Sequence, residues 1–135
     1  MPSHNKVLVL LASIVAVGGI ALGLALFASE RERKIQRAMA LTGGNPDHAM
    51  RSIVRYGCSA CHAIPGAPMP GGLAASSLAN VTDRRYLGGV VNNTPDNLVR
   101  WIVNPKQFSP SSGMPITGIG EAEARDIAAY FYTHL

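Results

Sequence analysis

The 135-residue sequence has two cysteines, 6% aromatic residues and 15% charged residues. Two cysteines cannot build a disulfide scaffold. So few aromatics cannot explain a mean hydropathy that is nonetheless positive. Charge is also unevenly missing. From Val7 to Ser29, a run of 23 positions, no residue is charged. No internal repeat and no alternating strand pattern is visible. Hydrophobic residues make up 47% of the chain, too many for a disordered one. The formal net charge of +4 first suggests nucleic acid or an anionic membrane. Its distribution argues against nucleic acid: residues 47–135 hold seven basic and six acidic residues, whereas residues 1–46 hold five and two.

The uncharged run is rich in Val, Leu, Ile, Ala and Gly. About 20 such residues in a helix span the hydrocarbon core of a bilayer. A signal peptide has a shorter apolar region, roughly 7–15 residues, ending in an A-x-A-like site. Leu26-Phe27-Ala28 is a poor one, so a retained anchor is expected. Ala12, Ala16, Gly19 and Gly23 form a small-residue stripe that would let another helix approach. Glu30 to Arg37 is rich in helix formers and should prolong the helix, and Thr42-Gly43-Gly44-Asn45-Pro46 should break it. The expected organisation is a tail over 1–6, a transmembrane anchor over 7–29, a basic helical stalk and linker over 30–46, and a domain over 47–135. So short a linker would hold the domain near the membrane.

The domain reads as all-α, with helices joined by Gly/Pro-rich loops. Asn45-Pro46 starts a helix with apolar positions Ala49, Ile53 and Tyr56. Thr94-Pro95 starts another, with Leu98, Trp101 and Ile102 at helical spacing and Asn104-Pro105 as its stop. A last helix follows Gly120, with Ala124, Ile127, Ala128, Phe131 and Leu135 on one face. The loops 63–80 and 106–120 are long for so small a domain, which suggests that they wrap something other than protein.

The chemistry sits at Cys58-Ser59-Ala60-Cys61-His62. C-x-x-C-H is the attachment signature of a covalent haem c. Two thiols at this spacing meet the two vinyl groups of one porphyrin edge, and the next residue offers its imidazole to the iron. A thiol oxidoreductase would need a thioredoxin-like βαβ context, and a structural zinc site would need four ligands. There is no second cysteine pair, and His4, His48 and His134 are scattered. An electron-shuttling haem usually has two protein ligands, and methionine as the second raises the potential. Met1 and Met39 lie outside the domain, and Met50 precedes the cysteines. Met69 follows His62 too closely to round the porphyrin easily. Met114, in Ser111-Ser112-Gly113-Met114-Pro115, is the expected second ligand.

The stretch 45–135 resembles the class I cytochromes c, and among them the membrane-anchored, oxidase-linked bacterial forms. The resemblance rests on Arg55-Tyr56-Gly57-Cys58-Ser59-Ala60-Cys61-His62-Ala63-Ile64-Pro65-Gly66, on Asp83-Arg84-Arg85-Tyr86-Leu87-Gly88-Gly89, and on Asn93 to Ile102. Met114-Pro115 and Glu123 to Tyr130 complete it. It implies about three to five helices around one covalent haem, with Ala49 and Tyr130 at the crossing of the first and last domain helices. It also implies that Arg84 and Trp101 contact a haem propionate, with Tyr86 and then Arg85 as weaker candidates. Buried carboxylates require such donors. The family usually has a Gly-Pro-x-Leu turn whose proline carbonyl accepts from the ligand histidine. Here the place reads Ala75-Ser76-Ser77-Leu78, so the Ser76 carbonyl would serve, in a looser loop.

Arg31, Arg33, Lys34 and Arg37 follow the anchor and only Lys6 precedes it, so charge counting would place the domain in the cytoplasm. Covalent haem attachment in bacteria occurs on the outer face of the inner membrane, and that argument decides for the periplasmic side. The basic residues then suit anionic lipid headgroups or an acidic partner. With both axial positions filled, no site is open to a substrate. The expected role is one-electron transfer without catalysis, as a subunit or associate of a terminal oxidase or quinol-oxidase supercomplex. The alternative is the electron-accepting cytochrome of a periplasmic dehydrogenase. A tethered thiol oxidoreductase or a gas sensor with a weak sixth ligand would belong to another class.

Overall fold

The computed structural model describes residues 3–68 and 74–133. Residues up to Arg33 form one compact unit and those from Lys34 onward form a second. Helix α1 runs His4–Thr42. Its large apolar side chains from Val7 to Phe27 are exposed, and the helix is long and apolar enough to cross a membrane. It passes through the basic segment, as the run of helix formers there predicts.

In the second unit, α2 covers Pro46–Arg55 and α3 covers Cys58–Cys61. Strands β1, Tyr86–Leu87, and β2, Val91–Asn92, form an antiparallel pair. Helix α4 covers Pro95–Val103 and α5 covers Glu121–Thr133. Each of the two middle starts has its sequence reason. Asn45 Oδ1 caps α2 by accepting from Asp47 N at 3.0 Å, and Thr94 Oγ1 caps α4 by accepting from Asn97 N at 3.2 Å. Proline occupies the first turn of both, where its missing N–H is harmless. The unit is mostly helical, as the all-α reading expects, and this short pair is a minor addition to it. Two residues per strand are too few to show an alternation.

Helix α5 is the centre of the unit and packs against both α2 and α4. Ala49 and Ile53 of α2 are wholly buried, as are Ala124 and Ala128 of α5, with Ile127 and Phe131 nearly so. Leu135, expected on the same face, lies outside the described residues. Small residues on both helices permit their close approach. At the edge of this contact Tyr130 Oη donates to Pro65 O at 2.5 Å, and Tyr56 Oη donates to Glu123 Oε2 at 2.6 Å.

The residues expected to be a linker are held as a corner. Ala38 and Thr42 at the end of α1 are buried. Arg125 Nη1 donates to Thr42 O at 2.7 Å, and Asn45 N donates to Asp126 Oδ1 at 2.6 Å. Gly44 lies so close to α5 that a Cβ there would sit 2.2 Å from the Arg125 carbonyl carbon and oxygen. Glycine is the one residue that fits.

Candidate haem site

The attachment motif forms a single helical turn, α3. Gly57 starts it with φ +67°, a left-handed conformation that favours glycine. Cys58 and Cys61 are three residues apart, so their thiols lie on one face of the turn. His62 leaves the turn in an extended conformation, and its N–H closes the turn onto Cys58 O at 3.1 Å. Both thiols are free, with Cys58 half-buried and Cys61 exposed. Burial pushes the Cys58 thiol above its ordinary value. A thiol oxidoreductase needs the opposite, a cysteine activated by a lowered pKa.

The His62 ring is oriented by its hydrogen bond. Nδ1–H donates to Ser76 O at 2.7 Å, which leaves Nε2 as the free, metal-binding nitrogen. This is the carbonyl expected in place of the family's proline. The loop around it carries several hydrogen bonds. Ala75 N donates to Cys61 O at 3.0 Å and Leu78 N to Ala63 O at 2.8 Å. Arg84 reaches across the same segment, with Nη1 on Ser76 Oγ at 3.2 Å and Nη2 on Ser77 O.

The other sequence-predicted residues fall in three places. Arg84 stands at the end of a short 3₁₀ turn, Val81–Asp83. Arg85 and Tyr86 follow it and are exposed. Trp101, on α4, faces the hairpin turn, where a Cβ on Gly88 would lie 2.3 Å from the indole ring. Phe108 stacks on the indole with centroids 6.1 Å apart. Among the described residues the indole N–H meets no acceptor, so it can serve a carboxylate. Met114 is half-buried, and its N–H donates to Ser112 Oγ at 3.2 Å. Met50 contributes to the core near Gly66 and Tyr130. Met69 lies outside the described residues.

Asn93 carries a role that spacing did not reveal. Its Nδ2 donates to Val81 O at 2.7 Å and to Arg84 O at 2.9 Å, which pins the turn that presents Arg84. Glu123 was equally hidden. It accepts from Tyr56, next to the motif, and pairs with Arg55 at 3.4 Å. An asparagine in a turn and a glutamate on a helix are too ordinary to be singled out in a sequence.

This donor set fits a covalent haem. Two free thiols share one face, an imidazole has one nitrogen fixed and the other free, and a thioether sits in a separate loop. Tyr86, Val90 and Ile116 are large apolar side chains about half exposed, surface that an apolar macrocycle can cover. Residues 49–134 match the family model described as Cytochrome c. The chain belongs to the cytochrome c family. No curated protein and no solved structure matches it. It is therefore an electron-transfer protein, a c-type cytochrome with covalently bound haem c, and the presence of Cys58 and Cys61 is consistent with the attachment motif.

Proposed function

We propose that the chain is a membrane-anchored monohaem cytochrome that passes single electrons along a respiratory chain. In this reading it is a subunit or close associate of a terminal oxidase or quinol-oxidase supercomplex. The observation that carries it is the 23-residue uncharged run within α1, exposed along its length, ahead of a cytochrome c domain. Such a run is stable in a bilayer and unfavourable in water. The shortness of the stretch between the uncharged run and the domain adds support for a docked carrier over a roaming one. The domain then faces the periplasm from the inner membrane, with the basic residues 31–37 near anionic headgroups.

His62 and Met114 are the axial ligands in this reading, and Cys58 and Cys61 form the thioethers. Trp101 and Arg84 serve a propionate, with Tyr86 at the rim. Arg84 uses two of its five N–H donors on residues 76 and 77 and keeps others for a carboxylate. When bound, the haem supplies one-electron chemistry, its iron cycling between ferric and ferrous. His62 and Met114 would be the residues that hold the iron. The Ser76 carbonyl makes the imidazole a better donor, and the Met114 thioether favours the reduced metal.

Two measurements test this. Met114→Ala should lower the midpoint potential by ~0.1 V or more, a fraction of the ~0.8 V that axial ligands span. It should also let ferrous haem bind carbon monoxide, which the unsubstituted protein should not. An unchanged potential would remove Met114 from the site. For the larger role, membranes extracted with mild detergent should yield the haem in a complex that oxidises quinol or reduces oxygen. Recovery of the haem with a periplasmic dehydrogenase, or in the soluble fraction after an alkaline wash, would refute it.

A further inference from the structure

We propose that Arg84 is the positioning residue for the axial histidine, acting through the Ser76–Ser77 backbone rather than only through its charge. The inference rests on the reading of His62 as an iron ligand. The His62 ring takes its orientation from one carbonyl, Ser76 O. That carbonyl belongs to an exposed segment, Ala75 to Ser77, with no proline to fix its φ. Backbone bonds from Ala75 N to Cys61 O and from Leu78 N to Ala63 O hold the two ends of this segment, and the stretch between them is left for a side chain to aim. Arg84 grips the segment on both sides of that carbonyl, with Nη1 on the Ser76 hydroxyl and Nη2 on the Ser77 carbonyl. A guanidinium suits this task because its donors form a rigid planar fork.

Arg84 is itself held. Its N–H donates to Val81 O at 3.3 Å, and its carbonyl accepts from Asn93 Nδ2. A continuous line of support thus runs from Asn93 through Arg84 and Ser76 to the ring nitrogen of His62. Each link is a hydrogen bond, and the middle link is charge-assisted.

Two roles for Arg84 predict opposite signs. A cation near the haem stabilises the reduced state, so loss of the charge alone lowers the potential. Release of the Ser76 carbonyl makes the imidazole a poorer donor and raises it. Arg84→Lys separates the two, since it keeps the charge and loses the fork. Its midpoint potential should rise. In the ferrous protein the His62 ring N–H should exchange with solvent about tenfold faster or more, the change expected from losing one hydrogen bond to a charged donor. Ser76→Ala, which removes only the hydroxyl acceptor at an exposed position, should move both readouts the same way by less. Ser76→Pro placed in the Arg84→Lys protein should return both toward the unsubstituted values.

An Arg84→Lys protein with unchanged potential and unchanged ring-proton exchange would overturn the inference. So would a lowered potential, which would mark Arg84 as a charge alone. Failure of the ligand reading shows differently. The unsubstituted protein would then lack a low-spin haem spectrum and an exchange-protected ring N–H, and the inference would fall with it.

Discussion

Gly44→Ala isolates the contact that holds the end of α1 to the haem domain. The added methyl would meet the Arg125 carbonyl carbon and oxygen at 2.2 Å and Asp126 N at 2.5 Å. These are backbone atoms inside a helix, so no side chain can rotate away. To reach ordinary contact at 3.4 Å the two backbones must part by about 1.2 Å. Overpacking of this kind costs ~1–3 kcal/mol. Separation also strains the Arg125–Thr42 and Asn45–Asp126 hydrogen bonds, worth about 1 kcal/mol or more each. The expected loss is about 3–5 kcal/mol. At roughly 4–8 °C per kcal/mol for a domain of this size, the melting point of the haem-loaded protein should fall by ~12 °C or more. Two alanines calibrate the result. Gly43 has φ +71° and its nearest outside atom at 3.7 Å, so Gly43→Ala should cost only the left-handed backbone penalty, ~1–2 kcal/mol. Gly113 has neither constraint, and Gly113→Ala should stay within ~1 kcal/mol of the parent. The readout is helical circular dichroism during heating. A Gly44→Ala protein that melts no lower than Gly43→Ala would refute the reasoning, because the close approach would then not exist in solution.

Stability should also depend on pH through Tyr56. Its hydroxyl donates to Glu123, which favours the protonated phenol and raises its pKa above the ordinary 10.0. A value raised in the folded state gives a contribution that is complete below pH 10 and is lost as pH climbs past it. Burial raises Tyr130 and Tyr132 in the same direction. Melting points should therefore be level below about pH 10 and fall above it, and Tyr56→Phe should make that alkaline fall shallower; an identical fall in both proteins would exclude Tyr56. Asn93→Ala should destabilise the protein by ~2–4 kcal/mol in denaturant titration, because the carbonyls of Val81 and Arg84 lose their shared donor. A loss below ~0.5 kcal/mol would show that water replaces the amide.

The helices of the domain were legible because their signals are local. Asn45-Pro46 and Thr94-Pro95 cap what they precede, and Ala124, Ile127, Ala128 and Phe131 recur at the spacing that one buried face requires. The haem motif was legible because five adjacent residues fold as one turn. Other features depend on residues far apart in sequence. Nothing near Gly44 announces that Arg125 and Asp126, some eighty positions on, will close around it. The pairing of Arg84 with Ser76 and Ser77 is equally silent, since an arginine in a loop has many possible acceptors. The resemblance to cytochromes c suggested a propionate for Arg84; that two of its donors also reach the loop that orients His62 is visible only in the fold. The strand pair was invisible for a simpler reason, being shorter than any pattern that could reveal it.

The position of α5 has a consequence for the order in which the molecule is made. Helix α5 covers both α2 and the corner at Thr42–Asn45, yet it follows Cys61 by about sixty residues. As the chain emerges, the two thiols and His62 are therefore present well before the helix that packs on α2 and α4. Contacts of such long sequence separation form late, after the cost of closing a large loop has been met. The layout of the chain thus places the attachment motif ahead of the contacts that complete the core.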